Sequence, residues 1–181
     1  MKPNRDKLDT AIPSILAAPK NNAKIEQLCY RPDFSKRTFV NQLSVSIAGG
    51  VQGCRWSHTP WLKKDDGSGD PRIQVSILQK RVLDLIYAPG NEETHPGDTF
   101  IVDMDLSQEN LPVGSVVQAG SALLRISDHW NNACVKWKVR YGSDALDWVR
   151  HNENIKYRLR GVLCEVVKDG TIVNGISLYK V

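Results

Sequence analysis

Residues 97–127 read GDTFIVDMDLSQENLPVGSVVQAGSALLRIS and carry clear secondary-structure signals. Residues 99–104 form a short apolar run, which is typical of a largely buried strand. Two further runs, 113–118 and 121–127, flank the dipeptide AG at 119–120, and this pattern predicts a β-hairpin. The segment therefore predicts short strands joined by tight turns.

The sequence before this segment predicts a second group of elements. Residues 43–47 alternate between apolar and small or polar side chains, which predicts a half-buried strand ending at Gly49 and Gly50. Residues 73–77 alternate in the same way, and the apolar spacing becomes helical over residues 78–86. A strand followed directly by a helix is therefore expected there.

The sequence after this segment predicts a helix and another hairpin. Ser143 is a plausible N-cap for a helix with a buried apolar face. Residues 158–167 and 171–179 flank the tripeptide KDG, and this arrangement predicts a hairpin with Gly170 at a position of positive φ.

Short strands with one or two inserted helices predict a mainly β fold, a barrel or a sandwich. A parallel βαβ sheet fits poorly, because strands and helices do not alternate and no glycine-rich phosphate loop follows a strand. Residues 41–181 are expected to form this domain. Residues 1–40 lack sustained periodicity and contain four prolines, which predicts a loosely ordered or docked arm with a short helix at Ala23–Tyr30.

The composition is that of an ordinary globular protein: 181 residues, 41% hydrophobic and 24% charged. This excludes a chain that is collagen-like, disordered or coiled-coil throughout. No apolar run approaches the roughly 20 residues that span a bilayer, and the N-terminus lacks a signal-peptide pattern. A cytoplasmic protein without membrane contact is expected.

The four cysteines lack the spacing of a metal knuckle and are expected to be free thiols.

Positive charge is concentrated in parts of the chain, although the net charge is only +4. Residues 1–40 hold eight Lys and Arg against four Asp and Glu, and residues 129–160 hold seven against three. This distribution favours a local anion site over bulk nucleic-acid binding. Interleaved Trp, Lys and Arg in residues 130–140 leave single-stranded nucleic-acid binding as a weaker option, which predicts a steep salt dependence.

Cys134 is the cysteine with the clearest chemical potential. It follows a predicted strand, and the nearby Lys136, Lys138 and Arg140 can stabilise a thiolate, the form that reacts and binds metals. The alternative is a small buried core residue. His129 lies five residues earlier, so that a Cys–His nucleophile is conceivable, but an exposed turn histidine is the favoured interpretation.

Three arginines are candidates for anion binding. Arg55 follows a glycine turn and can contact a phosphate through two donors, although the segment can equally be a turn that packs Trp56 on the core. Arg158 and Arg160 are two positions apart on a predicted strand, so they share a face. Such a pair is more often a solvated edge than an oxyanion contact. The histidines show no metal-ligand spacing, and zinc is not expected.

Taken in order, several segments resemble the MOSC domain, which is named after the C-terminal part of molybdenum cofactor sulfurases. The resemblance covers about residues 43–181, and Cys134 falls at the position of the family's characteristic cysteine. The segments are GVQG at 50–53, RIQVS at 72–76, residues 97–114 and 119–127, ACVKW at 133–137, RYG at 140–142, LRGV at 159–162 and GTIVNG at 170–175. The chain departs from the family pattern at Cys54, where Asp is frequent, and at Ala133, where Pro or Gly is frequent.

The resemblance implies a stand-alone, bacterial-type MOSC β-barrel with a few peripheral helices. It implies that Cys134 is the catalytic thiol, which either accepts sulfur as a persulfide or ligates the metal of the molybdenum cofactor (molybdopterin). Arg55, Lys136 and Arg160 are the expected contacts to the cofactor's anionic groups. Cys54 is expected to be a buried replacement, with a second, persulfide-resolving thiol as the alternative.

The resemblance also implies partners. A sulfur-carrying member would receive sulfur from a separate cysteine desulfurase, since this sequence has no aminotransferase-like sulfurase domain. A reducing member would take electrons from a donor protein and reduce N-hydroxylated compounds. The alternative is a non-catalytic ligand-binding or interaction barrel that has lost the cofactor, with Cys134 buried and unreactive.

Overall fold

The computed structural model describes residues 2–90 and 92–181, in which eleven strands and four helices are found. The helices are α1 (Arg5–Leu16), α2 (Lys80–Ile86), α3 (Val135–Tyr141) and α4 (Ser143–Arg150). The strands are β1 (Ala23–Tyr30), β2 (Thr38–Val40), β3 (Gln42–Ser46), β4 (Gly50–Val51), β5 (Val75–Gln79), β6 (Phe100–Val102), β7 (Val116–Ala119), β8 (Ala122–Ile126), β9 (Val162–Lys168), β10 (Gly170–Val173) and β11 (Ser177–Lys180).

Seven strands close into a barrel in the order β1-β6-β5-β9-β8-β7-β11, and β11 pairs back onto β1 through Ala23 and Leu178. Neighbouring strands are antiparallel except β5 and β6, which are parallel and are connected through α2. Strand β2 extends the sheet beyond β1, outside the closed ring. The predicted mainly β barrel with peripheral helices is confirmed.

A second, three-stranded sheet has the order β10-β3-β4. The hairpin predicted around residues 168–170 is therefore wrong, since β10 pairs with β3 whereas β9 pairs with β5 and β8. Gly170 lies where the chain passes between the sheets, and a Cβ there would come within 2.4 Å of the Ala122 nitrogen. This glycine is required for close backbone approach and not for a positive φ.

The core has two parts that share the barrel wall. Val75 and Ile77 of β5 point into the barrel interior, while Leu78 packs on the outside among residues of the four helices. All five residues of β5 are consequently buried, as expected for a strand covered on both faces. The outer cluster fixes the helices against one side of the barrel.

The first forty residues are part of this architecture, which corrects the expectation of a loosely docked arm. Ala23–Tyr30 is strand β1 and not a helix, because it fills the gap between β6 and β11 that closes the ring. Leu8 and Ile15 of α1 are buried in the outer cluster, and Asn4 caps the helix by accepting from the Lys7 amide. The barrel thus draws strands from both sides of the boundary predicted at residue 40.

The other predicted elements are confirmed with small shifts. Residues 43–47 correspond to β3, residues 73–86 to β5 and α2, and residues 113–127 to the hairpin of β7 and β8. The predicted helix at residue 143 is α4, with Gly142 rather than Ser143 at the N-cap. Within the described residues, no helix combines the length and apolarity that a membrane span requires.

The contact between the two sheets predicts a matched pair of glycine substitutions. Gly120 has φ +61, and a Cβ there would lie 2.1 Å from the Thr171 carbonyl oxygen, whereas Gly114 has φ +88 with nothing within 4 Å. Gly114→Ala should lower the free energy of unfolding by about 1–2 kcal/mol through its backbone conformation. Gly120→Ala should cost about 2 kcal/mol more, because the Thr171 backbone must move. Urea unfolding measures both, and equal losses would contradict the close contact.

Candidate functional site

A pocket of about 380 Å³ is lined mainly by three parts of the chain. These are residues 31–37 between β1 and β2, residues 130–140 leading into and forming α3, and the segment around Arg160 before β9. The volume falls within the range of small-molecule sites.

The pocket is strongly cationic. Asp33 is the single acidic residue among the described lining residues. The basic lining residues number seven: Arg31, Lys36, Arg37, Arg55, Lys136, Arg140 and Arg160. A cleft lined by one sign of charge concentrates ligands of the opposite sign, so the pocket is suited to an anion.

The site residues predicted from the sequence come together here. Cys134, Arg55, Lys136 and Arg160 all line the pocket. The interpretation of Cys134 as a small buried residue is wrong, because its side chain is exposed while the other three cysteines are buried. All four are free thiols, and Cys54 lies in the barrel interior.

The backbone around Cys134 is held by the neighbouring helix. Cys134 is the N-cap of α3, and Ala133 before it has a φ of +60, a region that non-glycine residues seldom adopt. Arg150 of α4 donates from Nε to the Asn132 carbonyl at 2.8 Å and from Nη2 to the Ala133 carbonyl at 3.2 Å. These bonds fix the turn that presents the thiol.

Arg160 is anchored on a buried carboxylate. Its Nη1 donates to both oxygens of Asp98, at 2.9 and 3.0 Å, and its guanidinium lies 4.7 Å from the centre of the Trp137 ring. The Asp98 side chain is wholly inaccessible to solvent, so that it depends on this cation. Arg160 therefore both shapes the pocket and neutralises a buried charge.

Arg158 does not share a face with Arg160, so that prediction is wrong. It follows the short 3-10 helix Ile155–Tyr157 with a φ of +50 and lies in a turn rather than in a strand. Its buried guanidinium donates to the carbonyls of Leu106 and Leu111, and burial lowers its pKa.

Arg55 and Lys136 meet at one aromatic ring. The Arg55 guanidinium lies 4.3 Å and the Lys136 ammonium 5.8 Å from the centre of Phe34. Arg55 also donates from Nη1 to the Thr59 carbonyl at 2.9 Å. Burial, and then the positive charge of Arg31, lowers the pKa of Arg55.

Three basic residues of the pocket were missed by the sequence analysis, since Arg31, Lys36 and Arg37 lay in the supposed arm. Arg37 donates from Nε to the His95 carbonyl at 2.5 Å and from Nη1 to the Ser35 carbonyl at 2.9 Å. Burial, and then the charge of Arg140, lowers its pKa. The surplus of positive charge in residues 1–40 was the signal for this part of the site.

The conceivable Cys–His pair is not formed. The His129 ring packs at 5.3 Å from the Trp61 ring, and the described residues show no hydrogen bond between His129 and Cys134. Nor do the described side chains include a group of three or more His, Cys, Asp or Glu placed to hold a metal ion.

His95 supports the wall that holds Arg37. The Gly97 amide donates to its Nδ1 at 3.0 Å, which assigns the proton of the neutral ring to Nε2, 3.0 Å from Gln27 Oε1. Burial lowers the pKa of His95 to about 4, an effect that the charge of Asp98 opposes. The ring is therefore neutral near physiological pH.

Comparisons with known proteins show a fold likeness. No family model and no curated protein matches the sequence. A structure described as a hypothetical protein matches with a TM-score of 0.59 and 17% identity over 88% of this chain and 67% of that chain. YuaD from Bacillus subtilis matches with a TM-score of 0.56 and 18% identity over 87% and 94%. YiiM from Escherichia coli matches with a TM-score of 0.54 and 17% identity over 87% and 69%.

These likenesses, together with the closed seven-stranded barrel, show a MOSC-like β-barrel fold. At identities of 17–18% they show the fold.

The cationic surroundings of Cys134 predict charge-selective thiol modification. The test compares an anionic reagent (2-sulfonatoethyl methanethiosulfonate) with its trimethylammonium analogue. The ratio of their reaction rates, anionic over cationic, should be about tenfold or more higher at Cys134 than at a free thiol, because the pocket attracts anions. The preference should shrink between about 0.05 and about 0.5 M salt. Mass spectrometry locates the label, and Cys134→Ala should remain unlabelled. If Cys134 shows the same ratio of reaction rates as a free thiol, the prediction of a positive pocket is contradicted.

The buried His95 predicts a pH dependence of stability. Between about pH 6.5 and pH 4 this histidine binds a proton in the unfolded chain but not in the native protein. The contribution of His95 to the free energy of unfolding therefore falls with falling pH and becomes constant below about pH 4. The loss should total about 3 kcal/mol. Urea unfolding at several pH values measures this loss. The His95→Gln variant should lack the pH dependence that comes from the histidine and should retain the pH dependence that comes from the carboxylates. Parallel pH profiles of the two proteins would show that His95 is not neutral in the folded state.

Proposed function

We propose that this chain binds a phosphate-bearing pterin cofactor of molybdenum in the pocket, with Cys134 as a thiolate ligand to the metal. The observation that carries the proposal is an exposed cysteine in the wall of a pocket lined by seven basic residues and one acidic residue. The MOSC-like fold is consistent with it.

The pocket retains the donors that such a ligand needs. Among the described residues, the side chains of Arg31, Lys36 and Arg140 make no hydrogen bond or ion pair. Arginine binds phosphate oxygens through two parallel donors, which gives both strength and orientation. These three residues and the predicted contacts Arg55, Lys136 and Arg160 would hold the anionic groups of the cofactor.

The thiol has the chemistry that a soft metal requires. Thiolate is the protein ligand preferred by soft metal ions, and the cofactor, when bound, would supply a redox-active metal with its remaining ligands. Cys134 would contribute the protein's sulfur from a turn fixed by Arg150. Reduction of N-hydroxylated compounds with electrons from a donor protein remains a prediction for the loaded protein.

A second function is favoured by the exposure of Cys134, since a thiol that receives sulfur from another protein must be reachable. In that case the Cys134 thiolate attacks the terminal sulfur of a persulfide on a cysteine desulfurase. A new S–S bond forms on Cys134, the donor's S–S bond breaks, and the donor thiolate leaves with the electron pair. The product is a persulfide on Cys134, which adds the mass of one sulfur atom.

The molybdenum content of the purified protein tests the first function. After expression in a host that makes the cofactor, wild type should retain molybdenum, and Cys134→Ala should lose most of it because the metal loses its protein ligand. Lys136→Ala should reduce the content about tenfold through the loss of a charge-assisted contact. Lys138→Ala is the matched control, since Lys138 carries the same charge on α3 and is not among the lining residues.

The outcomes of this experiment separate the two functions. Absence of molybdenum from wild type overturns the cofactor proposal, and equal content in wild type and Cys134→Ala overturns the ligand role. A persulfide on Cys134 after incubation with a desulfurase and free cysteine, without retained metal, supports the sulfur carrier instead.

A further inference from the structure

We propose that the pocket takes a planar aromatic substrate that carries an oxyanion, such as an aryl phosphate, carboxylate or sulfonate, and that Trp61 and Trp130 bind its ring. The inference rests on the proposed function in placing substrate chemistry in this pocket, and it adds the class of compound and the two residues that contact the ring. Neither tryptophan has a role in the proposed binding of the cofactor.

The exposed aromatic side chains of the molecule are concentrated at this pocket. Among the described residues, four side chains of Phe, Tyr or Trp are exposed: Phe34, Trp61, Trp130 and Tyr179. The first three line the pocket. Single exposed apolar side chains are common on protein surfaces, but several gathered at one concave site indicate that the site binds an apolar group.

The backbone on either side of Trp61 is held, although the side chain is 55% exposed. The Thr59 amide donates to the Arg55 carbonyl at 2.7 Å, and the carbonyl of the residue after Trp61 accepts from the Asp70 amide at 3.1 Å. The indole also packs against the His129 ring, with 5.3 Å between the ring centres. A fixed backbone therefore presents this indole to the pocket.

The backbone around Trp130 is held in a similar way, and its side chain is 40% exposed. The amide of the preceding residue, His129, donates to Ser127 Oγ at 2.9 Å. The side chain of the following residue, Asn131, donates from Nδ2 to the Arg160 carbonyl at 3.2 Å. Both neighbours of this tryptophan are therefore anchored.

Trp61 and Trp130 are the two aromatic side chains of the pocket that keep surface for a ligand ring. The contact of Trp61 with His129 brings its segment beside that of Trp130. Neither indole makes a hydrogen bond or a cation–π contact with the described residues. The other two aromatic side chains of the pocket, Phe34 and Trp137, already contact cations. A planar ring would therefore stack on one or both of the free indoles.

The charge of the pocket favours a ring that carries an oxyanion. Seven basic residues line the pocket against one acidic residue, and the side chains of Arg31, Lys36 and Arg140 have no partner among the described residues. A guanidinium binds an oxyanion through two parallel donors, while stacking on an indole depends little on which ring is stacked. An oxyanion without a ring would leave both indoles and most of the 380 Å³ unused.

The exposure of the two tryptophans favours a substrate over a tightly held cofactor. Trp137 in the same pocket is only 3% exposed, so the pocket extends from a buried wall to the surface, where Trp61 and Trp130 lie. A compound that enters and leaves passes the exposed part of the pocket in every cycle. The two indoles are therefore placed to meet an exchanging compound near the exposed thiol of Cys134.

Titration calorimetry with aryl phosphates tests this inference on the full chain without added cofactor. We expect 2-naphthyl phosphate to bind about tenfold or more tightly than methyl phosphate, because its ring stacks on an indole. Cyclohexyl phosphate, which is apolar but not planar, should bind at least about threefold more weakly than 2-naphthyl phosphate. Neutral 2-naphthol should bind at least about tenfold more weakly than 2-naphthyl phosphate at low salt, and this difference should shrink as salt is added.

Substitutions of the two tryptophans separate the ring from the oxyanion. Trp61→Ala and Trp130→Ala should each weaken the binding of 2-naphthyl phosphate about fivefold or more and leave that of methyl phosphate within about twofold. Trp61→Phe and Trp130→Phe should retain most of the affinity, since an aromatic face remains. Tyr179→Ala is the control, because Tyr179 is exposed on β11 and is not among the lining residues. It should bind both phosphates as wild type does, and thermal unfolding checks that every variant folds.

Equal affinities of wild type for methyl and 2-naphthyl phosphate overturn the inference, as does a gain from the naphthyl ring that survives both alanine substitutions. Protein from a host that makes the molybdenum cofactor distinguishes a substrate from the cofactor's own ring. Trp61→Ala and Trp130→Ala should retain the molybdenum content of wild type, and loss of molybdenum from both overturns the assignment to a substrate. If wild type holds no molybdenum, the cofactor proposal fails, and the affinities for the aryl phosphates still decide this one.

Discussion

The ion pair between Asp98 and Arg160 links the barrel to the pocket. Asp98 stands just before β6 with a side chain that solvent does not reach, and Arg160 stands just before β9 on the pocket wall. A carboxylate buried at this depth without its cation costs about 3–5 kcal/mol. Arg160 in turn lies over Trp137, and its carbonyl accepts from Asn131 Nδ2 at 3.2 Å. One interaction thus positions two barrel strands, α3 and the segment that leads to Cys134.

Barrel closure explains why the cations of the pocket come from such distant parts of the chain. Strand β1 pairs with β6 on one side and β11 on the other, which carries the loop of residues 31–37 to the segment that precedes β6. The contact of Arg37 with the His95 carbonyl is a direct consequence. Without β1 in the ring, the pocket would lose one wall and three of its basic residues. The site is therefore a property of the closed sheet as a whole.

The elements that the sequence predicted correctly are those with unbroken periodicity, such as β3 and the hairpin of β7 and β8. Strand β1 was missed because its pairing with β6 shifts register between Ile25 and Gln27, and such an irregularity destroys the alternation on which a strand prediction depends. The pairing of β10 with β3 was missed because periodicity does not state which strands are neighbours. In the site, Cys134 and Lys136 were found because they lie within one short segment. Arg31 and Arg37 reach it only through the tertiary fold.

Fewer arginines pair with carboxylates in this pocket than in the rest of the described chain, since Arg160 is the one pocket arginine that does so. Outside it, Arg150 and Arg158 donate to backbone carbonyls, but four other arginines pair with carboxylates: Arg5 with Asp9, Arg72 with Asp70, Arg81 with Asp103 and Arg125 with Glu165. Inside it, Arg37 and Arg55 donate to backbone carbonyls, which satisfy hydrogen bonds but leave the positive charge in place. Clustered cations of this kind repel one another and oppose folding. An arrangement that orients cations while leaving their charge uncompensated is what the proposed binding of an anion requires, since the anion would supply the missing negative charge.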